Sequence, residues 1–452
     1  MDAAGRGPNE SVTLAQAALW RSLAAGALVW TGPAYPARSG VPAEPDTLTL
    51  AYEVSGLRVI QRIDRATEGV AVRLYLLGGT RQTGELTAGI ERLLLETSAY
   101  GTAHFPGARA QRAMAQTACR VTLEAEVDWT VFGCTGLAED LDTAWAVLAD
   151  RLLDPTLSDS AVRRARAHLL AEAHRRNTNP DLRVERLATE ALFEGHPYAL
   201  DPNGTETSLT ALTAEDLRNY ARRELVTSRM LLVVVGNVER AHLESLIAPT
   251  LGRLPHGDYH WDLPPPAPVL RGHWVVEDRR LPTAYVLGLF PGPRPGSHDY
   301  WAFRVATAVL SGWVFNAVRA ESSLSYAAFA PFHDEGIPVG GMYATTPRPL
   351  AALPLMVRQI ENLEAWRLDP LRLAQFIDEF RFGYLAETSS ADGQADLLAR
   401  AELYLGGYRQ AGEFLERLHR TAPIDLRRVA NLYMRRIQFA YLGDTSRMKG
   451  RW

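Results

Sequence analysis

The stretch GIERLLLETSAYGT (residues 89–102) places one arginine and two glutamates on an apolar-periodic run that stops at Gly-Thr. The pattern predicts a helix presenting Arg92 and Glu96 at i,i+4 on its polar side, with Leu95 between them. A guanidinium and a carboxylate one turn apart can pair. They form no known catalytic set, and leucine cannot accept a proton. HLLAEAH (168–174) supplies His168, Glu172 and His174. The spacing H-x-x-x-E-x-H puts His168 and Glu172 on one helical face and His174 off it, so the stretch does not read as a metal site. In VFNAVRAESSLSY (314–326), Arg319 and Tyr326 stand seven positions apart. Spacing alone makes Arg319 a helix cap or surface ion-pair partner, and Tyr326 a half-buried strand aromatic. G-x-S-x-G, H-E-x-x-H and paired Cys/His arrangements are all absent from the sequence.

The chain around these residues has 452 positions, enough for about two to four domains. Its composition is 47% hydrophobic and 22% charged, that of an ordinary globular protein. A net charge of −4 gives no electrostatic footprint for nucleic acid or an anionic membrane surface. Lys449 is the only lysine, a bias of composition rather than of function. Cys119 and Cys134 are too few for a metal cluster or a disulfide framework, so a reduced, cytoplasmic setting is expected. LAQAALWRSLAAGALVW (14–30) is apolar but carries Gln16 and Arg21 and lacks a basic segment before it. It is read as a surface helix, not a signal peptide. No apolar run reaches the roughly 18–20 residues of a membrane span.

The sequence is written twice. LPPPAP (263–268), in a Pro/Gly/His-rich stretch, cannot continue a helix or central strand and reads as a semi-rigid linker. GVAVRLYLLGG (69–79) early in the first half matches PTAYVLGLFPG (282–292) early in the second. SRMLLVVVGNVE (228–239) matches RRIQFAYLGDTS (435–446) late in each. The offsets are 213 from Gly79 to Gly292 and 207 from Gly236 to Gly443, which argues for an internal duplication. Amphipathic helices are predicted over 158–176, 213–225 and 370–387. The expected fold class is α+β: two tandem domains, each a mixed or antiparallel sheet with helices packed on one face. The expected limits are an N-terminal extension over 1–46, a first domain over 47–253, a linker over 254–272 and a second domain over 273–452.

The series SGLRVIQRI (55–63), AVRLYLLGGTRQTGELTAGIERLL (71–94), FEGHPYALDPNGTETSLTALTAEDLRNY (193–220) and MLLVVVGNV (230–238), followed by VFNAVRAESSLSY, resembles the insulinase/pitrilysin zinc peptidases. The likeness is to their two-domain, mitochondrial-processing-peptidase-like bacterial branch, over roughly residues 47–446. Active members carry H-x-x-E-H on a first-domain helix, two histidines for zinc and a glutamate base between them, with a further glutamate downstream. Aligned on that motif, Arg92 and Glu96 replace the histidines and Leu95 the base, while Glu172 matches the downstream ligand. The resemblance therefore implies a chain that holds no zinc and is inactive alone, with an ion-pair cluster of Arg92, Glu96 and Glu172 in place of the metal. His196 in GHPY resembles a structural position of the family and is expected to be packed and hydrogen-bonded.

The second half keeps what the resemblance makes functional. Tyr326 would hydrogen-bond the oxyanion of a tetrahedral intermediate, and Arg319 would hold a substrate carbonyl. In this branch two chains close into a clam-like dimer, and some pairs divide zinc and Arg/Tyr between them. The expectation is a heterodimeric metalloendopeptidase in which a homologous H-x-x-E-H partner carries the zinc and this chain the Arg/Tyr pair, acting on peptides or leader segments. The alternative is a pseudopeptidase serving as a scaffold or peptide-binding assembly subunit.

Overall fold

The computed structural model describes residues 48–268, 272, 274–365 and 370–448. The extension over 1–46, including the 14–30 stretch, and Lys449 lie outside the described residues. The chain forms two compact units. One comprises the described residues up to 268 together with 387–414; the other comprises those between 272 and 386 and from 415 onward.

The first unit is built on a six-stranded sheet of β1 (Thr49–Val54), β2 (Leu57–Ile63), β3 (Gly69–Leu77), β4 (Arg120–Ala125), β5 (Trp129–Leu137) and β6 (Met230–Gly236). Their order is β1-β2-β6-β3-β5-β4. Only β2 and β6 run parallel; every other pair is antiparallel. The apolar runs of β3 and β6 are buried along nearly their whole length, as strands covered on both faces must be. On one face Val72, Leu74 and Leu76 meet helices α1 (Ile90–Ser98), α2 (Leu141–Leu153), α3 (Asp159–Thr178) and α4 (Ala214–Glu224) through Leu93, Leu94, Trp145, Leu169 and Leu217. Burying each such side chain contributes about 1.5–3 kcal/mol. The helix starts are fixed locally. Ser158 accepts from the Ala161 amide ahead of α3. Before α4, Thr213 and Asp216 form a reciprocal capping box, with aspartate doing the work usually given to glutamate.

The second unit holds β7 (Trp274–Asp278), β8 (Ala284–Pro291), β9 (Ala328–Phe329), β10 (Phe332–His333), β11 (Val339–Thr346) and β12 (Gln438–Gly443). The sheet order is β10-β11-β8-β12-β7, with β9 beside β11 and only β12 and β7 parallel. Its helices include α5 (His298–Val314), α6 (Pro349–Ala365) and α7 (Pro370–Glu387). The segment 298–320 is long and apolar enough to cross a membrane by composition, yet Tyr300, Phe303, Ala306, Val309 and Leu310 on α5 are buried in the fold.

The duplication is visible in the strand orders. Reading β2-β6-β3-β5-β4 against β7-β12-β8-β11-β10 gives the same sequence of partners, with the single parallel pair at the same place. Even the repeated Gly-Asn and Gly-Asp endings have one cause. Gly236 (φ 147°) and Gly443 (φ 156°) close their strands in a conformation that glycine favours. A Cβ on Gly236 would stand 2.4 Å from the Gly69 carbonyl oxygen.

One segment departs from the expected layout. Helix α8 (Ala391–Tyr404), expected in the second domain, packs on the first sheet, on the face away from α1. Ala395, Leu398, Ala399 and Tyr404 meet Ala71, Tyr75, Trp129 and Val233. Polar contacts fix its register: Tyr75 donates to Asp396 (2.7 Å), and Arg73 pairs with Asp392 (2.9 Å). The first sheet is thus covered on both faces. Alanine-rich helices of this kind carry too little periodicity to announce which sheet they will join.

The connecting stretch over 254–268 has no helix or strand and is tied along the first unit. Trp261 donates to the Leu403 carbonyl (2.9 Å), and Arg81 donates to that of Asp262 (2.8 Å).

Candidate functional site

Helix α1 buries Ile90, Leu93, Leu94 and Leu95 and turns Arg92 and Glu96 toward α3. The Arg92 Nη2 lies 3.7 Å from Glu96 and 3.8 Å from Glu172. Its Nη1 donates to the main-chain carbonyl of Leu123 on β4 (2.6 Å). The residues set apart by sequence spacing therefore come together, and the guanidinium lies in ion-pair range of both carboxylates. His168 is a fourth member, with one ring nitrogen 3.3 Å from Glu96 and the other 3.6 Å from Glu172. Its i,i+4 relation to Glu172 was legible; its closeness to Glu96 depends on how α3 crosses α1.

These residues do not fit a zinc ion. Zinc needs neutral or anionic donors converging on one point, and here a cation sits within pairing distance of both carboxylates. The position of the base is lost more thoroughly. Leu95 is only 1% exposed and belongs to the apolar core. Its carbonyl accepts from Arg151 Nη2 (2.9 Å) and from Ser98 Oγ (2.6 Å). Burial pushes the Arg151 guanidinium down to about 10, with Glu96 opposing that shift. The Arg151 side chain lies over the Phe132 ring, at 5.0 Å.

A second ion pair anchors the same helix from within. Glu91, 5% exposed, meets Arg229, 1% exposed, at 2.9 Å and also accepts from Tyr220 (3.1 Å). Arg229 Nε donates to the Leu77 carbonyl (2.6 Å), joining α1, α4 and β3 in one network. The i,i+4 spacing to Arg92 marks Glu96 for the cluster, but nothing in the local pattern of GIERLLLETSAYGT announces that Glu91 is buried.

In the second unit, α5 runs into a π-helical turn over Phe315–Ala320 that ends at Arg319 and Ala320. Such turns are frequent at functional positions. Arg319 is exposed, with its guanidinium 5.1 Å over the Phe315 ring. The following loop is pinned by its backbone. Leu324 N donates to the Val318 carbonyl (2.9 Å), Thr346 donates to that of Leu324 (2.7 Å), and Ser323 adopts a positive φ of 49°. Tyr326 emerges from it 92% exposed, not half-buried in a strand as spacing alone suggested. Neither the Arg319 nor the Tyr326 side chain makes a hydrogen bond or ion pair with another described residue, while the Arg319 carbonyl accepts from the Ser323 amide (3.1 Å).

His196 is packed, with 8% exposure. Its Nδ1 accepts from the Tyr198 amide (3.1 Å), so Nε2 is the nitrogen that donates to the Pro265 carbonyl (3.1 Å). That pairing requires the neutral ring. Burial lowers its pKa below the usual histidine value, with the Pro265 bond opposing.

Comparison with known proteins bears on the family and the fold. The profile described as insulinase (peptidase family M16) matches residues 58–206, and that of the peptidase M16 inactive domain matches 211–374. The beta subunit of the mitochondrial-processing peptidase of Blastocladiella emersonii is 25% identical over 293 residues, covering 62% of this chain and 60% of that protein. Subunit 1 of the cytochrome b-c1 complex of Bos taurus is 24% identical over 259 residues, 57% of this chain and 54% of that protein. The chain thus spans about half to six tenths of the length of these curated relatives. In fold, a protease from Helicobacter pylori superimposes with a TM-score of 0.79 at 17% identity, over 87% of this chain and 99% of that one. Two profiles of one family in tandem, on a fold that repeats one strand order twice, lead to a single assignment: the chain belongs to the insulinase family of peptidases.

Proposed function

We propose that this chain is the non-zinc subunit of a heterodimeric metallopeptidase. In this reading it lends Arg319 and Tyr326 to a homologous partner that carries H-x-x-E-H. The observation that carries the reading is an asymmetry of burial. The helix where zinc chemistry would reside has closed on itself around Arg92, while Arg319 stands exposed on the π-helical turn and Tyr326 on the pinned loop after it. A free guanidinium fork can hold a peptide carbonyl, and a phenol O–H can donate to a developing oxyanion. The partner supplies zinc and base; this chain orients the peptide backbone and stabilises charge. Extended peptides, including propeptide and leader segments, are the substrate class.

A second reading, a catalytically inactive pseudopeptidase serving as a scaffold, has support in the likeness to a cytochrome b-c1 subunit. The test separates them. Peptide cleavage is measured for this chain, for an H-x-x-E-H homologue from the same source and for the two together, with zinc quantified. Activity confined to the pair, and lost with Tyr326→Phe, is the expected result. A homologue indifferent to this chain would leave only the scaffold.

A further inference from the structure

The free edge of the first sheet is β4, which pairs with β5 and with no other described strand. Its hydrogen-bond alternation can be read from the hairpin. The Glu126 amide donates to the Trp129 carbonyl (2.8 Å), making these two a hydrogen-bonded pair. Stepping by two along the register gives Glu124–Val131, Thr122–Gly133 and Arg120–Thr135 as the next such pairs. The main-chain N–H and C=O groups of Val121, Leu123 and Ala125 therefore face away from β5, toward the open side. An open row of this kind is a template for an added strand unless something covers it. Here the middle acceptor is covered, because Leu123 O takes the 2.6 Å bond from Arg92.

We infer that Arg92 is a lock on this edge, keeping the first sheet closed to extended peptides. Three features make it an effective one. The side chain is only 12% exposed, so its approach to Leu123 is fixed by packing and not by chance. Glu96 and Glu172 hold the guanidinium from the other side, so releasing it would take a cation from both carboxylates and leave Glu172 with Arg175 alone (3.8 Å) as its arginine partner. The blocked carbonyl is the central one of three, and an incoming strand that skips it loses the continuity on which β-addition depends. The guanidinium that stands beside both carboxylates thereby closes the neighbouring peptide edge as well. A peptide held by this chain is held elsewhere. This inference concerns the first unit alone and stands whether or not Arg319 and Tyr326 serve a partner.

The test is peptide binding by the full chain. A short fluorescein-labelled extended peptide, and the same peptide with alternate amides N-methylated, are titrated by anisotropy into the wild type, Arg92→Ala and the double variant Glu96→Gln/Glu172→Gln. Arg92→Ala is expected to bind the unmodified peptide at least tenfold more tightly than the wild type, a change of about 1.4 kcal/mol. The double variant, in which Arg92 remains but is no longer held, is expected to gain less. N-methylation should remove both gains, and hydrogen exchange should show new protection over residues 120–125. If Arg92→Ala does not fold, the double variant decides by the same criteria. A folded variant with no gain would overturn the lock, as would a gain that survives N-methylation or protection that maps elsewhere.

Discussion

The two sheets share a strand order and differ in what their flanking helices present. In the first, α1 turns Arg92 and Glu96 toward α3, where the guanidinium pairs with Glu96 and Glu172 and donates to Leu123, with the His168 ring beside both carboxylates. In the second, α5 continues into a π-turn whose arginine side chain lies over a phenyl ring, and the loop after it carries a tyrosine almost wholly in solvent. The edge opposite β4 in the comparison is split into β9 and β10, two residues each on either side of Pro331, whereas β4 is one continuous strand. One copy of a duplicated scaffold has been sealed and the other left open. On α1 and α3 charged side chains packed together satisfy one another.

Four measurements would break or sharpen this contrast. The largest effect is expected at Arg229→Ala, which strands the buried Glu91 carboxylate. Removing one partner of such a pair costs about 3–5 kcal/mol, read by chemical denaturation. A much smaller loss would mean that α1 is not held from within. Next comes Tyr326→Phe in the assembled pair, where losing one oxyanion donor should lower kcat by about a hundredfold or more without changing the melting temperature. Full activity would remove the open copy's proposed role. Arg92→Ala should destabilise by about 1–2 kcal/mol, because its ion pairs are partly screened while its bond to Leu123 is not. Unchanged stability would make the sealed copy a solvated surface. The smallest effect is the pH dependence of His196. Its folded pKa is depressed, so its contribution is complete above the unfolded value of about 6.5 and lost as the pH falls through the folded one. Thermal melts of the wild type should therefore weaken below that pH more steeply than those of His196→Gln, and parallel curves would exclude the neutral-ring bond to Pro265.

Much of this was readable in the sequence, for physical reasons that also explain the gaps. Strands such as MLLVVVG and the paired Gly-Asn and Gly-Asp endings carried the duplication, because buried strands and left-handed glycines tolerate few residue types. The Arg92–Glu96–Glu172 cluster followed from resemblance joined to helical spacing. Leu123 could not be found, since a main-chain carbonyl has no residue-type signature and its exposure depends on register. The burial of Glu91 could not be read either, because it depends on which way α1 rolls against α4. Helix α8 lay in the expected second domain because sequence adjacency is a poor guide once a chain crosses back.

That crossing has a consequence for anyone who would dissect the molecule. A fragment cut at the proline-rich stretch would leave Tyr75, Trp129 and Val233 without the helix that covers them, a bare greasy floor inviting aggregation. The gene has two halves, but its folding units are not those halves. A working first domain would have to be made by splicing residues 387–414 back onto it, and evolution could not shuffle one copy freely without carrying a piece of the other.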